Sequence, residues 1–123
     1  MDKGTLRVLY AHAIKMADEA GMKAAHECNE QMLKLKGYEP FPICGFAWVS
    51  FKPATSHFAH WLKKMGLADK AYEGGLKLRV SKFGQSHDKK LAYARAYTDV
   101  IQRELVLNNV VPGLSVYAAS RLD

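Results

Sequence analysis

Cysteine is scarce in this chain, with two among 123 residues, and so is proline, with four. Cys28 and Cys44 are too few for the disulfide framework on which small secreted domains rely. No apolar run approaches the ~20 residues that cross a bilayer, and the chain opens without a secretory h-region. These absences point to a cytoplasmic protein with no membrane partner. CxxC and HExxH words are missing, and His57 and His60, one helical turn apart, do not complete a zinc set. No Walker or dinucleotide glycine word is present, so neither a metal nor a cofactor is expected. Carboxylates are scattered at Asp18-Glu19, Asp69 and Asp88, which leaves no acid–base pair. Cys44 begins an apolar strand and reads as a structural thiol, not a nucleophile. The balance is against an enzyme.

What the chain does have is a hydrophobic fraction of 49%, enough for one domain to build a core without staples. It also carries a net charge of +6 that is unevenly distributed. Residues 1–42 are neutral, whereas residues 43–97 hold ten basic and three acidic side chains. A basic excess confined to one part of a domain suits a polyanion.

Apolar residues at steps of three and four predict a long first helix over residues 5–36, with Thr5 as N-cap and Gly37 as stop. Leu6, Leu9, Ala13, Met16, Ala17, Ala20, Ala24 and Cys28 form its stripe, continued by Met32 and Leu35, and Gly21 is expected to kink or break it. Pro40 and Pro42 make residues 38–42 a linker. Residues 43–51 are apolar at both alternating positions and read as a central strand buried on two sides. A helix follows over residues 56–65, with Phe58, Trp61, Leu62 and Met65 inward and Gly66 just beyond its end. After a loop ending in Gly74-Gly75, residues 76–80 alternate as a strand. Residues 86–107 form the last helix and residues 114–119 a short strand. The order α-β-α-β-α-β predicts an α/β or α+β domain with a three-stranded parallel or mixed sheet. The expected organisation is an N-terminal helical arm over residues 1–37 and a compact unit over residues 43–123. Exposed edges of so small a sheet suggest a homodimer.

One six-residue pattern, Lys-x-x-x-Ser-His, occurs twice, at Lys52–His57 and Lys82–His87. Each copy joins a strand-like run to a helix-like one. Serine there caps a helix, and the junction presents free amides and the positive end of the dipole to an anion. Lys52, Thr55, Ser56 and His57, with Lys82, Gln85, Ser86, His87 and Lys89, are therefore the candidate anion-binding residues. The plain capping role explains both serines without a ligand. If the two strands run parallel, both junctions share one sheet edge and one phosphate-binding face. Tyr72 and Phe83 are the candidates for base stacking, whereas Trp48 and Trp61 fit a core.

Several words in order resemble a group of small bacteriophage proteins of unassigned function. They are Cys44-Gly45-Phe46-Ala47-Trp48-Val49, Lys52-Pro53-x-Thr55-Ser56-x-Phe58-Ala59-x-Trp61-Leu62-Lys63, Tyr72-x-Gly74-Gly75, Gln85-Ser86, Lys90-x-Ala92-Tyr93-Ala94-x-Ala96 and Ser120-Arg121-Leu122-Asp123. The match spans about residues 43–123, and Leu122 stands where the group usually has Met. The resemblance implies a phage accessory factor acting in the host cytoplasm and supplies no site residues. The expected partner is nucleic acid or a nucleotide; the alternative is a module that inhibits or recruits a host protein.

Overall fold

The computed structural model describes residues 2–123. Helix α1 (Lys3–Glu27) starts where Asp2 accepts a hydrogen bond from the Thr5 amide at 2.8 Å. Asp2, not Thr5, is thus the N-cap, and its carboxylate suits the positive end of the dipole. The buried stripe is Tyr10, Ala13, Ala17, Gly21 and Ala25. It shares Ala13 and Ala17 with the expected stripe, while Leu9, Met16, Ala20 and Ala24 are only half-buried. Small residues line it because α1 lies directly on α3 (His87–Ile101). A Cβ added at Gly21 would come within 2.5 Å of the Tyr93 ring. Gly21 therefore permits a close approach, and α1 continues through it without a break.

The helix stops at Glu27, well short of Lys36, because the residues after it serve α3. Ser86 donates its hydroxyl hydrogen to Glu30, and the Gln31 amide donates to Asp88 Oδ2 at 2.7 Å. Strand β1 (Met32–Leu33) then pairs antiparallel with β2 (Phe41–Pro42), so the expected linker ends in a small ribbon. Tyr10, Ala13, Ala17 and Ala25 belong to the same buried cluster as Val49, Phe51, Tyr97 and Ile101. The segment expected as a separate arm thus contributes α1 to the common core.

The main sheet has four strands, β3 (Gly45–Lys52), β4 (Asp69–Lys70), β5 (Leu76–Arg79) and β6 (Ser115–Leu122), in the order β4-β5-β3-β6. Every neighbouring pair is antiparallel, which corrects the expected three-stranded parallel or mixed sheet. The reversal comes from the segment read as a loop. After α2 (His57–Lys64), Gly66 takes the left-handed position beyond the helix end at φ 73°, and the Leu67 amide donates to the Leu62 carbonyl. Strand β4 then turns through Gly74 (φ 102°) and Gly75 (φ 72°) into β5, so the glycine pair is the turn of a hairpin. The last helix ends in a π-helical turn, Gln102–Leu107, that buries Leu105.

All three helices lie on one face of the sheet. Ala47, Val49 and Phe51 of β3 point into the core, next to Leu76 and Leu78 on one side and Val116 and Ala118 on the other. Phe46, Trp48, Ser50 and Lys52 occupy the opposite face, which no described helix covers, and there Ser50 is buried between Tyr117 and Lys77. Strand β3 is therefore covered on one side only, not on two. β6 forms the outer edge of the sheet beyond it.

A polar clasp joins the helices. Tyr93 donates its phenol hydrogen to Asp18, and Lys82 Nζ lies 3.2 Å from the same carboxylate oxygen. Burial, followed by the bond to Asp18, pushes the Tyr93 phenol far above its usual range. Burial acts to raise the Asp18 carboxyl too, but the hydrogen bonds from Tyr93 and Lys82 outweigh it and the net shift is downward. A depressed carboxyl stabilises the fold above its unfolded pKa of about 3.9, and that stability is lost as pH falls through the folded value. Thermal midpoints of Asp18→Asn should therefore fall less steeply below about pH 4 than those of the parent. Parallel curves would remove Asp18 from the account.

Gly21→Ala makes a sharper test. Helix propensity alone would stabilise the protein by about 1 kcal/mol. The clash with Tyr93 predicts destabilisation, by about 1–3 kcal/mol in urea unfolding. An unchanged or raised midpoint would contradict the close approach.

Candidate nucleic-acid interface

The two Lys-x-x-x-Ser-His junctions lie at opposite ends of β3. The first follows Lys52 at its end, whereas the Gln85 carbonyl accepts from the Gly45 amide at its beginning. At about 3.3 Å per residue, β3 separates them by roughly 20–25 Å. A single shared anion site across Lys52, His57, Lys82, His87 and Lys89 needed parallel strands, and the antiparallel register removes it.

Taken singly, the junctions differ. Ser56 caps α2 by accepting from the Ala59 amide at 3.0 Å. His57 Nδ1 sits 3.0 Å from the Tyr10 hydroxyl, Thr55 is exposed, and Lys52 Nζ lies 5.7 Å from the centre of the Tyr117 ring. Ser86 caps α3 by accepting from the Lys89 amide at 3.2 Å. Its hydroxyl bonds to Glu30, so a carboxylate of the chain itself occupies the approach to this helix end. The His87 amide donates to the Ile43 carbonyl, and His87 Nε2 is 3.0 Å from the Ser120 hydroxyl. Lys82 is committed to Asp18, Lys89 is half-buried and Gln85 is exposed.

Cations and aromatics gather elsewhere, on the side of the sheet away from the helices, where Phe46, Arg79 and Arg121 are exposed, Trp48 and Lys77 half-buried and Lys90 buried. Cross-strand register puts Arg121 beside Phe46, Arg79 beside Trp48, and Tyr117 and Lys77 on either side of Ser50. Lys77 Nζ stands 4.3 Å from the centre of the Trp48 ring. Lys90 Nζ and the Arg121 guanidinium lie 5.4 and 5.1 Å from the Phe46 centre. Cations over ring faces hold these aromatics in a wet, charged setting. Ser50 and Lys52 pull the Tyr117 phenol below its usual range. Of the side chains expected to stack bases, Tyr72 is fully exposed at the β4–β5 turn. Phe83 packs on Tyr93 at 5.8 Å and is half-buried.

At the end of the open face where β5 leaves β3, a cavity of about 380 Å³ is lined by Phe46, Trp48, Lys77, Arg79, Lys90 and Arg121, with Ala47, Val80 and Ser81 between them. Among the described residues, four cations and no carboxylate line it, although Lys77 is ion-paired with Glu73 at 3.1 Å just outside. The sequence reading missed Phe46, Trp48, Lys77, Arg79, Lys90 and Arg121 as site residues. The available signal was alternation: Phe46, Trp48, Ser50 and Lys52 share one strand face, and the last two are polar. A second groove, of about 650 Å³, runs between α1 and β5 past Lys15, Trp61, Leu67, Leu78 and Lys82.

Among the described residues, no group of three His, Cys, Asp or Glu is placed to hold a metal ion. Cys28 is half-buried, and burial together with the Asp88 charge pushes its thiol up, opposite to what a nucleophile needs. No described helix is long and apolar enough to cross a membrane. No protein-family model matches the chain, and neither a curated protein nor a solved structure is significantly similar to it.

The double engagement of Ser86 gives a direct expectation. Ser86→Ala removes both the cap and the contact to Glu30 and should lower stability by at least the 0.5–2 kcal/mol of an ordinary cap, about 2 kcal/mol. Chemical denaturation showing no loss would mean that neither bond matters.

Proposed function

We propose that the open face of the four-stranded sheet binds single-stranded nucleic acid. The observation that carries this reading is the cluster of Arg79, Lys90 and Arg121, outside any ion pair among the described residues, with Lys77, which is paired to Glu73 at 3.1 Å, around Phe46 and Trp48. Single strands are held by cations that follow the backbone and by aromatic rings on which bases stack, without need of a sequence code. A sheet whose aromatics face solvent beside basic residues is one of the surfaces that meets both needs. Lys52 and Tyr117 extend the row along β3 and β6. The anion-binding role inferred from the sequence is retained, moved from the helix junctions to the sheet. The resemblance to phage proteins suits an accessory factor that acts on nucleic acid inside a host cell.

A second reading is docking of a host protein. It is favoured by the edge of β5, which β4 covers only at Leu76 and Lys77, beside the groove along α1. An extended segment with apolar side chains could add there as a strand, held by main-chain hydrogen bonds that salt does not screen. Salt separates the readings, because phosphate contacts weaken steeply as it rises.

Fluorescence anisotropy with a labelled oligothymidylate tests the proposal. Trp48→Ala should weaken binding by about 1–3 kcal/mol. Arg79→Gln should lower the log–log salt slope by about 0.7 for one lost phosphate contact. Lys63→Gln, on the outer side of α2, serves as the control. If Trp48→Ala and Arg79→Gln bind as the parent does, the sheet face is not the interface.

A further inference from the structure

Lys90 is a buried lysine, with 6% of its surface exposed, and it reaches from α3 to the sheet end where β5 departs. Its ammonium has three donors. It donates to the Gly45 carbonyl at 3.3 Å, and no ion pair joins it to a carboxylate among the described residues. A buried charge without an opposite partner is unfavourable, so this group is suited to receive an anion. Arg121 and Arg79 are likewise outside any ion pair among the described residues, and both border the same cavity. Lys90 and Arg121 lie 5.4 and 5.1 Å from the centre of the same Phe46 ring, so both serve the same end of the cavity.

Resting on the reading of the open face as a single-strand surface, we propose that this cavity is a terminal-phosphate site. It holds the phosphomonoester at one end of a strand whose neighbouring base lies against Trp48. Three observations favour an end over a mid-strand diester. A volume of about 380 Å³ suits one nucleotide, not several. Lys90 comes from the helix layer behind the sheet, so the cavity has a floor where the open face stops. A terminal phosphate carries about −1.5 to −2 charges near neutral pH, against one for a diester, and so matches converging cations better.

The experiment compares hexathymidylate with a 5′-phosphate, a 3′-phosphate or neither, measured by competition anisotropy at low salt. The parent protein should bind one phosphorylated form about tenfold more tightly than the unphosphorylated one, and the arm that responds identifies the end. Arg121→Gln, on an exposed residue, and Lys90→Met should each abolish that preference. A thermal melt checks that Lys90→Met is folded, and Arg121→Gln decides alone if it is not. Equal affinity of the parent for all three oligomers would overturn the terminal-phosphate site and leave the sheet-face reading standing. A preference that survives undiminished in the folded variants would overturn it as well. Failure of the parent to bind any of the three would sink the sheet-face reading itself.

Discussion

Strand β3 is paired on both sides and covered on one, and most of the molecule follows from that arrangement. Its odd-numbered residues meet the helix layer, where Val49 and Phe51 are fully buried. Its even-numbered residues stay on the side that no described helix covers. Aromatic rings there cannot be sealed from water by packing, and the cations that stand over them are the chain's own answer. Long basic side chains can lay their stems across apolar surface while their charges remain hydrated. That same layer of charge makes the surface attractive to a polyanion.

The helix layer is held as closely as the sheet. Alanines and a glycine on α1 let it sit against α3, and the Asp18–Tyr93–Lys82 clasp ties α1 to the segment that follows β5. Lys82, half of the pattern that first suggested an anion site, is thereby engaged within the fold. Glu30 does the same for the start of α3. The two copies of the pattern thus meet different surroundings, one open and one closed by an internal carboxylate.

Features determined by near neighbours were readable from the sequence. Both serine caps, the left-handed Gly66 and the burial of Phe58 and Leu62 on α2 depend on residues within a turn or two, although Met65, expected inward with them, is exposed. What was not readable depends on distant partners. The end of α1 is set by Glu30 and Gln31 bonding to residues more than fifty positions away. The strand direction turned on β4, two residues too short to show any alternation. Phe46 and Trp48 look like core residues in a sequence, and only the lack of a second helix layer makes them a surface. Lys90 gives no local sign of its burial, since it follows three polar residues at the start of a helix.

The register of β3 also bears on how the chain finds its structure. Its longer pairing, with β6, joins residues 63 to 77 positions apart, from Lys52–Ser115 to Gly45–Leu122. The α1–α3 clasp spans a similar distance, 75 positions between Asp18 and Tyr93. Closing such loops costs entropy before any burial offsets it. The β4–β5 hairpin and the isolated helices are short-range exceptions, and neither has a buried face of its own to rest on. High contact order of this kind slows folding. Single domains of this size ordinarily unfold in one cooperative transition, so the open face is expected to be lost together with the core that supports it.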